Sequence, residues 1–239
     1  MGDLDIAFAN GPWPPITKRE CRVLILDSSF NPPTRAHEAL LATAVQQFAP
    51  DYFDAKILLF STSNADKQLT GASVEQRTHM MELLAQKLGY ECLAVGLTKH
   101  AKFVDKAVAV ERYFQHHGLQ EVEMYFILGY DTVTRFLDPK YYAPLTVAEA
   151  LEPFFARSRL ICADRAGFDE QLVNAFWTGD KVKPYLDRIL RMSIDPAAAS
   201  LSSTRLRTLV KEKAPQNLLT QIVDDNVADY IVKEHLYSA

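Results

Sequence analysis

The chain has 239 residues, 48% hydrophobic and 23% charged, which is typical of a globular protein and excludes a disordered, collagen-like or coiled-coil chain. At roughly 150 residues per domain, this length allows one or two domains. The 26 Lys and Arg against 30 Asp and Glu give a net charge of −4, which argues against the broad basic footprint that long nucleic acid requires.

A polar, proline-bearing arm over residues 1–20 comes first, and five short apolar runs follow it along the chain. Each run has about the length of one β-strand and is almost continuously apolar, as strands buried on both faces of a parallel sheet are. The runs lie at residues 21–26, 55–61, 91–97, 122–128 and 158–163. The sequence therefore predicts a largely parallel sheet.

Segments with helical periodicity lie between the runs and in the tail. Thr34 is a candidate N-cap for the first helix, and Ser73 with Gln76 forms a candidate capping box for the second, which Gly89 would end. The predicted helices cover residues 34–48, 73–88, 103–117, 203–212 and about 216–235.

The alternation of strands and helices predicts right-handed crossovers and hence an α/β fold. We expect a Rossmann-like doubly wound parallel sheet of five or six strands with C-terminal helices. The sequence shows no internal repeat, low-complexity tract or linker, so residues 21–239 are predicted to form a single domain after the arm of residues 1–20.

The three cysteines are odd in number and lie far apart, with no CxxC pair, which argues against a disulfide framework or a zinc site. We expect Cys21, Cys92 and Cys162 to be reduced core thiols of an intracellular protein. We expect that protein to be cytoplasmic, with a nuclear location as the open alternative. The arm lacks the pattern of a secretory signal, and no apolar stretch is long enough to span a membrane. The sequence leaves a homo-oligomer open and suggests no protein-held metal.

The most informative segment follows the first run and reads DSSFNPPTRAH over residues 27–37. Ligands of open parallel sheets bind beyond the carboxyl ends of the strands, and free N–H groups at a turn and helix start favour an anion. Ser28 and Ser29 are small enough to let a phosphate approach the backbone, and Thr34 and His37 share one side of the helix. A proline-containing loop with a surface histidine is the open alternative.

A second segment near the C-terminus reads LSSTRLR over residues 201–207. Serine and threonine before a helical period form an N-cap, and Arg207 lies about one turn after Thr204, where it can point back toward the same anion. A plain helix cap followed by solvated arginines is the alternative.

Both segments resemble motifs of one enzyme family. Residues 29–37, SFNPPTRAH, resemble the SFNPxTxxH signature of nicotinamide mononucleotide adenylyltransferases, a variant of the (H/T)xxH element of the nucleotidyltransferase superfamily. LSSTRLR is similar to the ISSTxxR motif of that family, and the two lie about 165 residues apart in the order that the family uses. Ser28 stands where the family commonly has glycine, and Thr34 where the wider motif has its first histidine.

The resemblance assigns roles to further positions. Gly129-Tyr130-Asp131 resembles a GxD element near the nucleotide, and Tyr142 falls where an aromatic ring packs against nicotinamide; a glycine turn and core packing are the alternatives. Phe103 is a weak substitute for a missing tryptophan. The implied catalytic residues are His37 and Arg207. The implied ATP-binding residues are Ser28, Ser29, Phe30, Thr34, Gly129, Asp131, Ser203 and Thr204. The implied mononucleotide-binding residues are Lys67, Thr98, Tyr142 and Arg165, with a solvated surface lysine as the alternative for Lys67.

The resemblance implies adenylyl transfer from ATP to nicotinamide mononucleotide, giving NAD and pyrophosphate, with Mg²⁺ bound mainly through the ATP phosphates. Its implied partners are ATP and nicotinamide mononucleotide, without a membrane or long nucleic acid. One alternative is a nucleotidyltransferase with another acceptor, nicotinic acid mononucleotide or phosphopantetheine. The other is a non-catalytic nucleotide-binding sensor.

Overall fold

The apolar runs become the central strands of a mixed, mostly parallel sheet. The computed structural model describes residues 2–15, 20–63, 70–164 and 169–238. Within those ranges seven strands form one sheet: β1 Asp5–Ala9, β2 Glu20–Asp27, β3 Ala55–Ser61, β4 Leu93–Thr98, β5 Glu121–Gly129, β6 Ser158–Asp164 and β7 Ile189–Ser193.

The order of the strands is β1-β4-β3-β2-β5-β6-β7, and only β1 runs antiparallel to its neighbour. β2 is central, with β3 and β4 on one side of it and β5 to β7 on the other. The chain therefore reverses its direction of winding between β2 and β5. In open α/β sheets, ligands bind beyond the carboxyl ends of the strands at such a switch point.

Helices cover both faces of the sheet and form the C-terminal part of the chain. The described α-helices are α1 Arg35–Gln46, α2 Val74–Leu88, α3 Phe103–His116, α4 Tyr130–Phe136, α5 Val147–Arg157, α6 Glu170–Thr178, α7 Pro196–Ala199, α8 Ser203–Lys211, α9 Gln216–Leu219 and α10 Asp225–Lys233. The described residues also form two 3₁₀-helices, Pro139–Tyr141 and Lys183–Arg188. A bilayer-spanning helix, which would need greater length and apolar character, does not occur in these ranges.

Burial on both faces explains why the runs are continuously apolar. Along β2, Val23 and Ile25 pack into one core, while Leu24 and Leu26 pack into the core on the opposite face. Successive side chains of a strand point to opposite faces, so a strand covered on both sides has no solvent-facing position to fill with a polar residue. The α/β doubly wound prediction is confirmed.

Several predicted boundaries hold and others need correction. Thr34 is the N-cap of α1, and Ser73 with Gln76 forms the capping box of α2, which ends at Gly89 in a left-handed conformation. The sheet has seven strands in the described residues, where we expected five or six. β1 lies inside the predicted arm, and the short β7 follows β6 at the other edge.

The predicted tail helix over about 216–235 is two helices. α9 ends at Leu219, and Asp224 caps a new helix, α10, by accepting a hydrogen bond from the Asn226 N–H at 3.0 Å. An aspartate inside a helical period can take the N-cap role, since its side chain bonds free N–H groups that a helix interior would already satisfy.

The cysteines are all free thiols. Cys21 and Cys162 are buried, and burial raises the pKa of each to about 12, so both stay protonated and unreactive at neutral pH. Cys92 is half-buried at the start of β4, with its Sγ 3.5 Å from the Pro12 carbonyl oxygen.

Candidate functional site

A cavity of about 460 Å³ opens at the switch point of the sheet. Asp27 and Ser28 at the carboxyl end of β2 line it, as do Phe60 and Ser61 at the end of β3. Residues 101–104 and Lys106 at the start of α3, together with residues of α4, complete its wall. The cavity therefore lies where the topology predicts a ligand.

The loop between β2 and α1 turns sharply at its floor. The Ser28 N–H donates to the Leu59 carbonyl at 3.1 Å, which continues the sheet by one residue. Phe30 then takes a φ of +42°, in the left-handed region, which is unfavourable for any residue other than glycine. The ring of Phe30 is fully buried. Burial of that ring offsets the strain and fixes the direction in which the chain enters α1.

His37 faces back toward this loop from the first turn of α1. Its Nδ1 accepts a hydrogen bond from the Thr34 N–H at 2.9 Å, and its Nε2 lies 3.0 Å from Ser28 Oγ. Since Nδ1 is an acceptor, it carries no proton, and the neutral ring therefore holds its proton on Nε2. This nitrogen is a hydrogen-bond donor directed at the loop.

Burial lowers the pKa of His37 from 6.5 to about 4. The imidazole is therefore neutral through the physiological range, and it supplies a donor without a charge. The Thr34 amide, which is part of the folded backbone, fixes the tautomer that makes this possible.

Because of this pKa, the free energy of unfolding should fall as the pH drops from 6.5 toward 4, since the unfolded chain binds a proton at residue 37 that the folded chain does not. The difference between 6.5 and about 4 corresponds to roughly 3 kcal/mol over that window. Urea unfolding of wild type and His37→Gln at both ends of the window measures it. An equal loss of stability in the two proteins would show that His37 does not cause it.

The second segment meets the first. Ser202 caps α8 by accepting a hydrogen bond from the Arg205 N–H at 3.2 Å, and the Ser203 hydroxyl donates to the Pro32 carbonyl at 2.7 Å. The Arg207 guanidinium donates to the Asn31 carbonyl at 2.6 Å and to Thr204 Oγ1 at 3.2 Å. Residues 28–37 and 202–207, remote in sequence, thus form one surface.

Asn31 joins this surface to two other parts of the chain. Its side-chain amide donates to the Thr70 carbonyl at 2.9 Å, and its Oδ1 accepts from the Ala72 N–H and the Tyr237 hydroxyl at 3.2 and 2.9 Å. Gly71, between Thr70 and Ala72 in the sequence, has a φ of +87°, and a Cβ at this position would stand 2.8 Å from Asn31 Nδ2. Only glycine fits this close approach.

Arg77 braces the same loop from α2. Arg77 is 2% exposed, and its guanidinium donates to the carbonyls of Ser29, Thr70 and Ala72 at 3.2, 2.6 and 2.9 Å. The loop backbone is therefore held from behind, independently of any ligand.

Aromatic rings form the other wall of the cavity. Phe103, Phe136 and Tyr142 line it, and the Tyr142 hydroxyl donates to the Phe136 carbonyl at 2.7 Å. The ring centroids of Phe103 and Phe136 are 5.8 Å apart in an edge-to-face arrangement. The cavity thus has a polar end at the loop and an aromatic end at α3 and α4.

The other predicted residues fall in several places. Gly129 and Asp131 lie exposed at the carboxyl end of β5 and in the first turn of α4, and a Cβ on Gly129 would meet open space. Thr98 is buried at the end of β4, and its hydroxyl donates to the Asp3 carbonyl at 2.7 Å, away from the cavity lining. Lys67 and Arg165 lie outside the described residues.

One feature of the cavity floor was missed in the sequence. Lys106 donates to both oxygens of Asp27 at 2.8 Å, and both side chains line the cavity. The available signal was a lysine inside the apolar stripe of α3, between Phe103 and Val110 at helical spacing. A lysine on the buried face of a helix needs a partner, and the partner here is 79 residues away.

Comparisons with known proteins agree with the topology and the two motifs. The cytidylyltransferase-like family model matches residues 25–209, which include both segments. A candidate nicotinamide mononucleotide adenylyltransferase of Schizosaccharomyces pombe is 32% identical over 185 residues, which cover 77% of this chain and 67% of that protein. A candidate nicotinate-nucleotide adenylyltransferase of Acholeplasma laidlawii is 31% identical over 118 residues, 46% of this chain and 55% of that protein.

The fold is also similar to a solved structure, the Plasmodium falciparum nicotinic acid mononucleotide adenylyltransferase in complex with NaAD. The TM-score is 0.62 at 18% sequence identity, and the match covers 91% of this chain and 98% of that one. At this identity the likeness concerns the fold alone.

Proposed function

The chain belongs to the cytidylyltransferase-like family, and we propose that it transfers the adenylyl group of ATP to nicotinamide mononucleotide, giving NAD and pyrophosphate. The observation that carries the proposal is the meeting of two segments over one surface, where Ser203 and Arg207 bond the carbonyls of Pro32 and Asn31.

The triphosphate of ATP would lie on that surface. The His37 Nε2–H and the Arg207 guanidinium both reach the loop of residues 28–34, one from α1 and the other from α8. Helix N-termini and a charged guanidinium are suited to phosphate oxygens. Ser28, Ser29, Phe30 and Thr34 would supply the loop, and Ser203 and Thr204 the start of α8.

The mononucleotide would lie toward the aromatic end of the cavity. A pyridinium ring is electron-poor and cationic, and it would stack on the electron-rich face of Tyr142 or Phe103, both of which line the cavity. Gly129 and Asp131 stay proposed ATP contacts at the neighbouring strand end. Lys67, Thr98 and Arg165 stay proposed mononucleotide contacts.

The reaction needs positioning and charge stabilisation more than proton transfer. A phosphate oxygen of the mononucleotide attacks the α-phosphorus of ATP, a P–O bond forms there, and the bond to the β-phosphate breaks in line to release pyrophosphate. The attacking oxygen is already anionic near neutral pH, so no general base is required. Neutral His37 would donate to the α- and β-phosphate region, and Arg207 with Ser203 and Thr204 would hold the leaving pyrophosphate.

Mg²⁺ is part of the proposal only as an ion carried by the ATP phosphates, where it would neutralise their charge. Among the described residues, no group of three His, Cys, Asp or Glu side chains could hold a metal. In the cavity lining, both oxygens of the Asp27 carboxylate already accept from Lys106. These residues do not fit a protein-held ion.

The test is a product assay with ATP, Mg²⁺ and one acceptor at a time. The acceptors are nicotinamide mononucleotide, nicotinic acid mononucleotide and phosphopantetheine, with chromatography for the dinucleotide and a coupled assay for pyrophosphate. We expect NAD and pyrophosphate in equal amounts with nicotinamide mononucleotide. ATP binding without pyrophosphate release for any acceptor would contradict the proposal and favour a nucleotide sensor.

A further inference from the structure

An ion pair on the cavity floor has no role in the mechanism above. Asp27 ends β2, one residue before Ser28, and Lys106 lies in the second turn of α3. The Lys106 Nζ donates to Asp27 Oδ1 and Oδ2, both at 2.8 Å. The two side chains are 11% and 5% exposed, and the surface they keep faces the cavity.

Stability alone does not explain the pair. Removing two charges from water costs about as much as their attraction returns, so an apolar pair of similar volume would serve the fold equally well. The residue before Asp27 in β2, Leu26, and the residue after Lys106 in α3, Ala107, are both buried apolar side chains. A charged pair kept at the wall of a ligand cavity points to contact with a ligand.

The pair lies where the two ends of the cavity meet. On one side Asp27 adjoins Ser28, whose Oγ lies 3.0 Å from His37 Nε2. On the other side the Lys106 Nζ stands 4.7 Å from the centroid of the Phe103 ring. A planar ring packed on the aromatic wall would therefore direct a substituent on its edge toward the pair.

The chemistry of the pair is specific. Two of the three ammonium N–H groups of Lys106 bond Asp27, which leaves one donor, while each Asp27 oxygen keeps a free lone pair. The floor thus offers one donor beside one acceptor, at zero net charge. A carboxamide matches it, with its oxygen toward Lys106 and its NH₂ toward Asp27. A carboxylate would accept from Lys106 but would meet the Asp27 carboxylate with a like charge.

We propose that the Asp27–Lys106 pair determines acceptor specificity by contacting the exocyclic group of the pyridine ring and selecting the neutral carboxamide over the carboxylate. This inference rests on the proposed function and deepens it, since it names the substrate class of the site. The proposed contact is made to the pyridine ring and not to a phosphate group, so its loss changes the choice of acceptor more than the use of ATP.

The test compares kcat/KM for nicotinamide mononucleotide and nicotinic acid mononucleotide at saturating ATP. Wild type should prefer the amide by roughly tenfold or more. Asp27→Asn leaves the Lys106 charge uncompensated and should shift the ratio toward the acid by about tenfold or more. Lys106→Gln leaves the Asp27 charge and should shift the ratio in the opposite direction. The double variant Asp27→Asn/Lys106→Gln removes both charges and should return the ratio to near that of wild type. It also serves as the test if a single variant fails to fold.

The matched control is Asp224→Asn. Asp224 is 5% exposed and accepts from the Lys87 Nζ at 3.0 Å, and neither residue lines the cavity. This variant should lose stability and keep the wild-type ratio. The inference would be overturned if wild type used both acceptors equally, or if the variants lowered kcat/KM for both acceptors by the same factor. Either result would leave the proposed function standing. If neither mononucleotide yields a dinucleotide, both the inference and the proposed function are overturned.

Discussion

Replacing His37 by alanine is expected to lower kcat by roughly 10²–10³-fold while the protein stays folded. The Nε2–H is a neutral donor held by the Thr34 amide against Nδ1, and it points into the loop where we propose the α- and β-phosphates. A donor of this kind acts on charge that builds up in the transition state, so kcat falls more than ATP affinity. Steady-state kinetics and circular dichroism together measure the effect.

Two further variants make this result specific. His37→Gln keeps a neutral N–H donor near the same place and should recover part of the lost kcat. His79→Ala removes a half-exposed histidine from α2, outside the proposed site, and should leave kcat within about twofold, as surface substitutions usually do. Near-normal turnover in His37→Ala would remove His37 from the mechanism.

Replacing Arg207 by methionine is expected to lower kcat/KM for ATP by about 10²-fold. Methionine keeps much of the apolar stem and removes the guanidinium, which donates to the Asn31 carbonyl and to Thr204 Oγ1. The substitution removes a charged donor with several N–H groups from the proposed ATP site. It also removes the hydrogen bond from α8 to the Asn31 carbonyl of the loop. Arg207→Lys restores the charge without the planar fork and should recover only part of the loss.

The control for Arg207 lies on the same helix. Arg205 is exposed two residues earlier on α8, so its side chain projects from a different side. Arg205→Met should change kcat/KM for ATP by less than about twofold. If Arg207→Met lowers the free energy of unfolding but leaves KM for ATP unchanged, Arg207 serves the fold alone.

The sequence predicted the central strands well because each is buried on two faces and therefore apolar throughout. β1 was missed because an edge strand has few buried positions, and Asp5–Ala9 is only half-buried. β7 was missed because exposed Arg191 interrupts its apolar pattern. The break between α9 and α10 depends on Asp224, whose capping role competes with a helical pattern that continues on both sides of it.

The candidate site also has parts that the sequence predicts and parts that only the fold reveals. The loop and the start of α8 could be found because they are continuous motifs with a local reason for each residue. The Asp27–Lys106 pair could not, since it joins β2 to α3 and only the topology brings those elements together. Thr98 is the last residue of β4, where a ligand contact is expected, yet its hydroxyl donates to the carbonyl of Asp3, which the missed strand β1 brings to that edge.

A crystal structure of the protein with a non-hydrolysable ATP analogue would show directly whether the two motif segments bind one triphosphate. We predict that one triphosphate will lie within hydrogen-bond distance of both His37 Nε2 and the Arg207 guanidinium, over the loop of residues 28–34. A triphosphate that contacts only one of these two segments, or that binds elsewhere on the chain, would show that residues 28–37 and 202–207 do not form one ATP site.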